Sequence, residues 1–390
     1  MAGAITGAPT PAPPPDTTHR HRRWPTAVAS FLSALVGAAA VIGILALSGT
    51  FDEEPLTIVA PAVPPAVVQN PTTEIITGAA DGGIAQAVGK KVVPSIVTVQ
   101  VGTITDGTFI AEATGSGVIL DQEGHVVTNH HVVADADAAS VTLHNGLIYE
   151  AEIIGTDPVT DLAVLKIDAA AITSIENGEA TDLTIGQTAI AIGNPLGQVG
   201  GASLTVGVIS ALDRIVEFGP NEPSLYGMLQ TDAPINSGSS GGALVDAEGK
   251  LIGITSAIGV SQAGAEGIGY AIPVELVQRV TDEIIETGQV HHTFLGIMGG
   301  DHLTETPDGA LAPAGAVIDS LFGDDSAAAA AGLEDGDVII RVGDSPVTSM
   351  QDLVVALRLY RIDDTVEVEV DRGGTRLTRS VILIERPDDS

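Results

Sequence analysis

The chain has 390 residues, 44% hydrophobic but only 3% aromatic, which suffices for a tail and two globular domains with cores of Val, Ile, Leu and Ala. Its formal net charge of −34 excludes polyanions, so nucleic acid is ruled out as a partner and anionic lipid is a poor one for the folded part. No cysteine is present, which excludes disulfides, thiol catalysis and cysteine-ligated metal.

Residues 1–23 read as a disordered tail, rich in Pro, Ala and Thr with no apolar periodicity and ending in His19-Arg20-His21-Arg22-Arg23. Residues 24–51 contain no charge and are dominated by Ala, Val, Leu and Ile, long enough for a transmembrane helix. The three arginines precede this run and the next basic residue is Lys90, which predicts a cytoplasmic N-terminus and an extracytoplasmic remainder in the cell membrane. A cleaved signal peptide, leaving a soluble chain from near Gly49, is the competing reading; the apolar run exceeds the usual h-region of roughly 7–15 residues and favours an uncleaved anchor. Residues 52–83 carry Pro55, Pro61, Pro64, Pro65 and Pro71 and read as an extended linker.

Beyond a short helix at Ile84–Val88, strands are predicted at Ile96–Val101, Gly117–Leu120, His125–Thr128, Ser140–Leu143, Ala151–Gly155 and Leu162–Ile167. A second set follows at Thr188–Ile192, Leu204–Ile209, Met228–Thr231, Ala243–Val245, Leu251–Ala257 and Gly269–Ile272. Short strands with glycine turns indicate a barrel or sandwich and not a doubly wound sheet. Pro273–Thr287 has helical spacing and closes a domain at 84–290; a smaller unit at 294–387 has strand-like Val338–Val342 and Val366–Val370 around a helix at Met350–Tyr360.

Three segments carry chemistry. Thr231-Asp232-Ala233-Pro234-Ile235-Asn236-Ser237-Gly238-Ser239-Ser240-Gly241-Gly242 offers a serine among glycines, where a tight loop can aim backbone N–H groups at an oxyanion. Val126-Val127-Thr128-Asn129-His130-His131-Val132-Val133 runs a strand into a turn with a histidine that can act as base. In Thr160-Asp161-Leu162-Ala163-Val164-Leu165-Lys166-Ile167 an acid stands just before a buried strand and can orient an imidazole. Each alone has an ordinary structural reading: a flexible loop, a core histidine, a strand cap. Together they follow the His, Asp, Ser order of the chymotrypsin barrel, unlike subtilisins or α/β-hydrolases.

At these residues the sequence resembles the HtrA/Deg family of trypsin-like serine proteases over roughly 84–387, through TNHHVV, DPVTDLAVLKI and TDAPINSGSSGGALVD. The resemblance implies a mainly β fold, a chymotrypsin-like double β-barrel followed by a PDZ domain. It implies His131 as base, in preference to His130, with Asp161 as its orienting partner and Ser240 as nucleophile. The backbone N–H groups of Gly238 and Ser240 would form the oxyanion hole. Ser237 and Ser239 depart from the family's usual Pro and Asn and leave the glycines in place. Pro234, six residues before the nucleophile, and its neighbour Ile235 offer no counter-charge to a basic substrate side chain; with Ala257 and Ile258 on the pocket wall, small or medium aliphatic residues are expected before the scissile bond.

Phe294-Leu295-Gly296-Ile297 resembles the PDZ loop whose N–H groups hold a peptide's terminal carboxylate, with the Met350–Tyr360 helix as the other wall. The family further implies hydrolysis of unfolded or mislocalised envelope proteins under stress, sensing of C-terminal peptides by the PDZ domain, and a homotrimer. No cofactor and no metal is expected. A catalytically silent PDZ scaffold or chaperone of the envelope is the alternative.

Overall fold

The computed structural model describes residues 81–105, 108–194, 201–217, 223–256, 267–323 and 325–386. The expected membrane span at 24–51, the tail before it and most of the linker lie outside these. Among the described residues no helix is long and apolar enough to cross a membrane.

Helix α1 (Asp81–Val92) leads through a short 3-10 turn into β1 (Ile96–Thr105), β2 (Thr108–Ile119) and β3 (His125–Thr128). The single-turn helix α2 (His130–Val133) follows, then β4 (Ala138–Thr142), β5 (Ile148–Asp157) and β6 (Leu162–Lys166). These six strands form a closed barrel in the order β1-β2-β3-β6-β5-β4, sealed by the antiparallel pairing of β1 with β4. Val97, Val99, Ile119, Val126, Val141 and Leu165 fill it, β-branched side chains replacing the missing aromatics.

A second closed barrel repeats the plan with β7 (Thr188–Gly193), β8 (Ser203–Val216), β9 (Leu225–Thr231), β10 (Ala243–Val245), β11 (Leu251–Ser256) and β12 (Gly269–Pro273). Its order is β10-β11-β12-β9-β8-β7, and β10 pairs with β7 to close it. Helix α3 (Val274–Thr287) buries Val274, Leu276, Val277, Val280 and Ile284, the helical spacing predicted from sequence, and stops at Gly288, whose N–H reaches the Ile284 carbonyl at 2.8 Å.

The C-terminal part comprises β13 (Thr293–Phe294), β14 (Ile297–Glu305), β15 (Leu311–Leu321), α4 (Ala327–Ala330), β16 (Val338–Val342), β17 (Ser345–Pro346), α5 (Met350–Leu357), β18 (Thr365–Arg372), β19 (Thr375–Ile382) and β20 (Ile384–Glu385). The main sheet runs β14-β15-β16-β18-β19, with β13 and β20 paired separately. Its core includes Leu295, Ile318, Ile339, Leu353, Val368 and Val381.

Several expected elements shift. β1 and β2 extend past Val101 into a long hairpin whose Ile104 and Ile110 are exposed, a stretch that apolar counting does not distinguish from a loop. The helix predicted to Tyr360 ends at Leu357, because the Leu359 and Tyr360 N–H groups turn to carbonyls three residues back and tighten the chain out of the α-helix.

Candidate active site and peptide groove

The first barrel supplies an imidazole and a carboxylate. α2 is only four residues long and begins directly after β3, so it presents His131 at the barrel rim. Asp161 stands between β5 and β6 at φ 57°, a left-handed conformation that Asp tolerates better than most residues. Its backbone carbonyl accepts from Asn129 Nδ2 at 3.0 Å and from the His130 N–H at 3.1 Å, which fastens the acid to the turn carrying the histidines. Its carboxylate accepts from the His131 backbone N–H at 3.0 Å, and both its oxygens lie 2.9 Å from His131 Nδ1. With a proton on Nδ1, the lone pair of Nε2 is left to face outward as a base.

His130, by contrast, has its Nδ1 buried with no hydrogen-bond partner among the described residues. A fourth partner of the acid comes from the second barrel: Ser256 Oγ, at the end of β11, donates to Asp161 Oδ2 at 3.2 Å. In the sequence Ser256 falls within the predicted strand Leu251–Ala257 with no role attached. A hydroxyl 95 residues from the carboxylate gives no local signal of that contact.

The second barrel supplies the serine segment. Ser240 is buried, and its carbonyl accepts from the Ser116 N–H of β2 at 2.8 Å. Gly115 lies between this segment and α2: a methyl group there would stand 2.7 Å from Val132 and 3.3 Å from the Ser240 carbonyl, so only glycine lets the two approach. The chain leading to Ser240 is fixed at each step. Ser239 N–H donates to the Asn236 carbonyl at 2.9 Å, Thr255 Oγ1 to the Ser239 carbonyl at 2.7 Å, and Ser116 Oγ to the Gly238 carbonyl at 2.7 Å. Gly238 itself has φ 89°. The segments bearing His131, Asp161 and Ser240 thus pack together where the two barrels meet.

Of the expected pocket residues, Ile235 is buried and packs where a side chain on Gly269 of β12 would sit. Ala257 and Ile258 lie outside the described residues.

In the C-terminal part, Phe294, Leu295, Gly296 and Ile297 line one wall of a groove of about 560 Å³, and Met350, Leu353, Val354 and Leu357 of α5 line the other. The Leu295 carbonyl accepts from the Ala328 N–H at 2.9 Å and the Gly296 carbonyl from the Phe322 N–H at 2.8 Å. In a trans peptide the N–H points opposite to the preceding carbonyl, so Gly296 and Ile297 N–H are directed away from these partners. Gly296 has φ 79°, and a side chain there would strike Ser326 at 2.4 Å.

The groove continues to Val159, two residues before Asp161. Here Asp157, buried at the end of β5, accepts from the Val159 N–H at 3.1 Å and from Thr160 Oγ1 at 2.5 Å, and lies 2.9 Å from His292 Nε2. Burial pushes the Asp157 carboxyl up, but the His292, Thr160 and Val159 hydrogen bonds and the His292 charge outweigh it and hold it below its ordinary value. Asp157 opens the DPVTDLAVLKI segment with no role attached there, and His292 and the neighbouring Arg358 carry no motif, so sequence reasoning missed the function of all three.

The comparisons agree with this architecture. A trypsin-like peptidase domain family matches residues 115–254 and a PDZ domain family matches residues 300–383. The serine endoprotease DegS of Escherichia coli K12 is 37% identical over 312 residues, 76% of this chain and 85% of DegS. The periplasmic serine endoprotease DegP of Salmonella typhimurium is 38% identical over 275 residues, 70% of this chain and 57% of DegP. A probable DegP-like endoprotease of Chlamydia trachomatis is 40% identical over 287 residues, and the chain spans 54% of its length. Among solved structures, the HtrA-type protease AlgW with a decapeptide superposes with a TM-score of 0.57 at 33% identity, covering 78% of this chain and 99% of that one.

Proposed function

This chain belongs to the HtrA/Deg family of trypsin-like serine proteases with one C-terminal PDZ domain, and on that premise we propose that it is a membrane-anchored, extracytoplasmic endopeptidase of unfolded or mislocalised proteins. The observation that carries the reading is the contact of His131 Nδ1 with both oxygens of Asp161, on the rim where the Ser240 segment packs.

In this mechanism His131 Nε2 removes the Ser240 Oγ proton as Oγ adds to the scissile carbonyl. Asp161, held in turn by Ser256, keeps the imidazole in the required tautomer and stabilises the imidazolium that forms. Gly238 and Ser240 N–H receive the oxyanion. Collapse of the tetrahedral adduct passes the proton from His131 to the leaving amine and leaves an acyl-serine, which water hydrolyses with the same base. The buried apolar Ile235 favours a small or medium aliphatic residue before the scissile bond.

The groove beside Phe294–Ile297 takes the C-terminus of a peptide as an added strand. A relative solved with peptides, AlgW, supports that role, and relatives described as periplasmic support an extracytoplasmic site. The apolar run at 24–51 supplies the anchor, and the family resemblance implies a homotrimer.

Membranes from cells expressing the full chain are the test. They should degrade casein, an intrinsically unfolded protein, with activity in the membrane pellet, cleavage after Val, Ala or Leu, and stimulation by peptides ending in apolar residues. Cleavage chiefly after Lys or Arg would refute the pocket assignment, activity confined to the supernatant would refute the anchor, and an inert but folded chain would favour the scaffold reading.

A further inference from the structure

The groove beside Phe294–Ile297 carries positive charge that a backbone-lined carboxylate site does not require. In a chain of net charge −34, its lining includes Arg358, Arg386, His291 and His292. The one acid among the lining residues, Glu385, lies 2.6 Å from His291 Nδ1. A concave surface of this sign within an acidic protein favours an anionic occupant.

Arg358 is the cation best placed to meet that anion. It caps the C-terminus of α5, and the helix end is tied to the peptide loop because Thr293 Oγ1, one residue before Phe294, donates to the Leu357 carbonyl at 2.8 Å. Arg358 thus lines the groove at the helix end that Thr293 ties to the peptide loop. Its guanidinium stacks over Tyr226 of β9, 5.0 Å from the ring centroid, which removes much of its freedom. Its Nη1 is buried and has no acceptor within reach among the described residues. Burial lowers the pKa of Arg358, against the opposing pull of Asp157, yet a guanidinium stays charged in a protein. A buried, immobilised, charged donor short of an acceptor is what a carboxylate satisfies best.

We propose that Arg358 is a specificity-determining residue of this groove, and that its guanidinium binds the terminal carboxylate of an apolar-ended peptide alongside the Gly296 and Ile297 N–H groups. The proposal rests on the groove being a peptide site and adds the side chain that reads the free carboxylate. It also places one side chain between the ligand and the second barrel, since the same guanidinium lies on Tyr226.

The test is fluorescence anisotropy on the full chain in detergent, in a Ser240→Ala background so that the probe is not cleaved. Two probes are compared: a dansylated decapeptide ending in Ala-Leu-Val with a free carboxylate, and the same peptide as its C-terminal amide. The parent should prefer the acid by at least tenfold. Arg358→Gln should lose about tenfold or more in affinity for the acid and nothing for the amide, as expected for one charge-assisted contact. Arg358→Lys should retain part of the preference.

Arg358→Gln binding the acid as tightly as the parent would overturn the role of Arg358 and leave the peptide site standing. Equal weakening of acid and amide would also overturn it, marking Arg358 as packing on Tyr226 alone. A parent that binds neither peptide would remove the peptide site and this proposal with it. Should Arg358→Gln lack a cooperative thermal transition, Arg358→Lys decides: an acid preference equal to the parent's, or none with both probes weakened alike, counts against the proposal, and a reduced preference supports it.

Discussion

Asp161 combines a left-handed backbone, four hydrogen-bonding partners and an address between two barrels, and each property serves the same end. The backbone turn brings both carboxylate oxygens within 2.9 Å of His131 Nδ1, while Ser256 keeps the carboxylate from rotating away. Asn can adopt the same left-handed conformation and occupy the same space, so Asp161→Asn should fold normally. Its amide can donate to Nδ1 and stabilise the tautomer whose Nε2 carries the proton, which is useless for accepting one from serine. Turnover of a peptide substrate by Asp161→Asn should fall by about 10⁴-fold with KM nearly unchanged, measured by steady-state kinetics. A loss below tenfold would mean that the acid only packs.

Among elements, the turn between β5 and β6 links the peptide groove to the acid. Asp157 opens the turn and Asp161 ends it, and the Asp157 carboxylate bonds both to the turn (Val159 and Thr160) and to His292 outside it. Arg279 and Arg358 also feel its charge, which opposes the lowering of the pKa that burial imposes on each. Because the folded state holds the Asp157 carboxyl below its ordinary value near 3.8, its ionised form contributes stability above that pH. The contribution is lost as pH falls through the lowered folded value. Urea unfolding should therefore show Asp157→Asn less stable than the parent by about 1–3 kcal/mol at pH 7, with the gap narrowing below about pH 4. A gap that is absent at pH 7, or that does not change with pH, would contradict this account of the turn.

The same turn shows where sequence reading stops. Asp161 is legible because the strand after it is continuously apolar and the HtrA/Deg resemblance marks the position. Asp157 and His292, 135 residues apart, meet only because the chain after α3 returns across the first barrel. Likewise Arg358 falls within a run whose apolar spacing predicts helix to Tyr360, and its role emerges from the helix stopping at Leu357 beside Thr293.

For the whole molecule, local pattern conveys the double barrel well, since short Val- and Ile-rich strands broken by glycine turns recur in two sets. The pattern does not convey closure: β1 finds β4, and β10 finds β7, through pairings that no neighbouring residues announce. The meeting of Ser256 with Asp161 between the barrels exists only after both have closed. The central claim is that, at this junction, His131 held by Asp161 makes Ser240 a nucleophile. Its most direct measurement is labelling of the native full-length chain with a fluorophosphonate, followed by peptide mass mapping. The account predicts a single adduct on Ser240 that is lost when His131 is replaced by alanine or the chain is unfolded beforehand. An adduct on another serine, or none on the folded chain with groove peptide present, would contradict it.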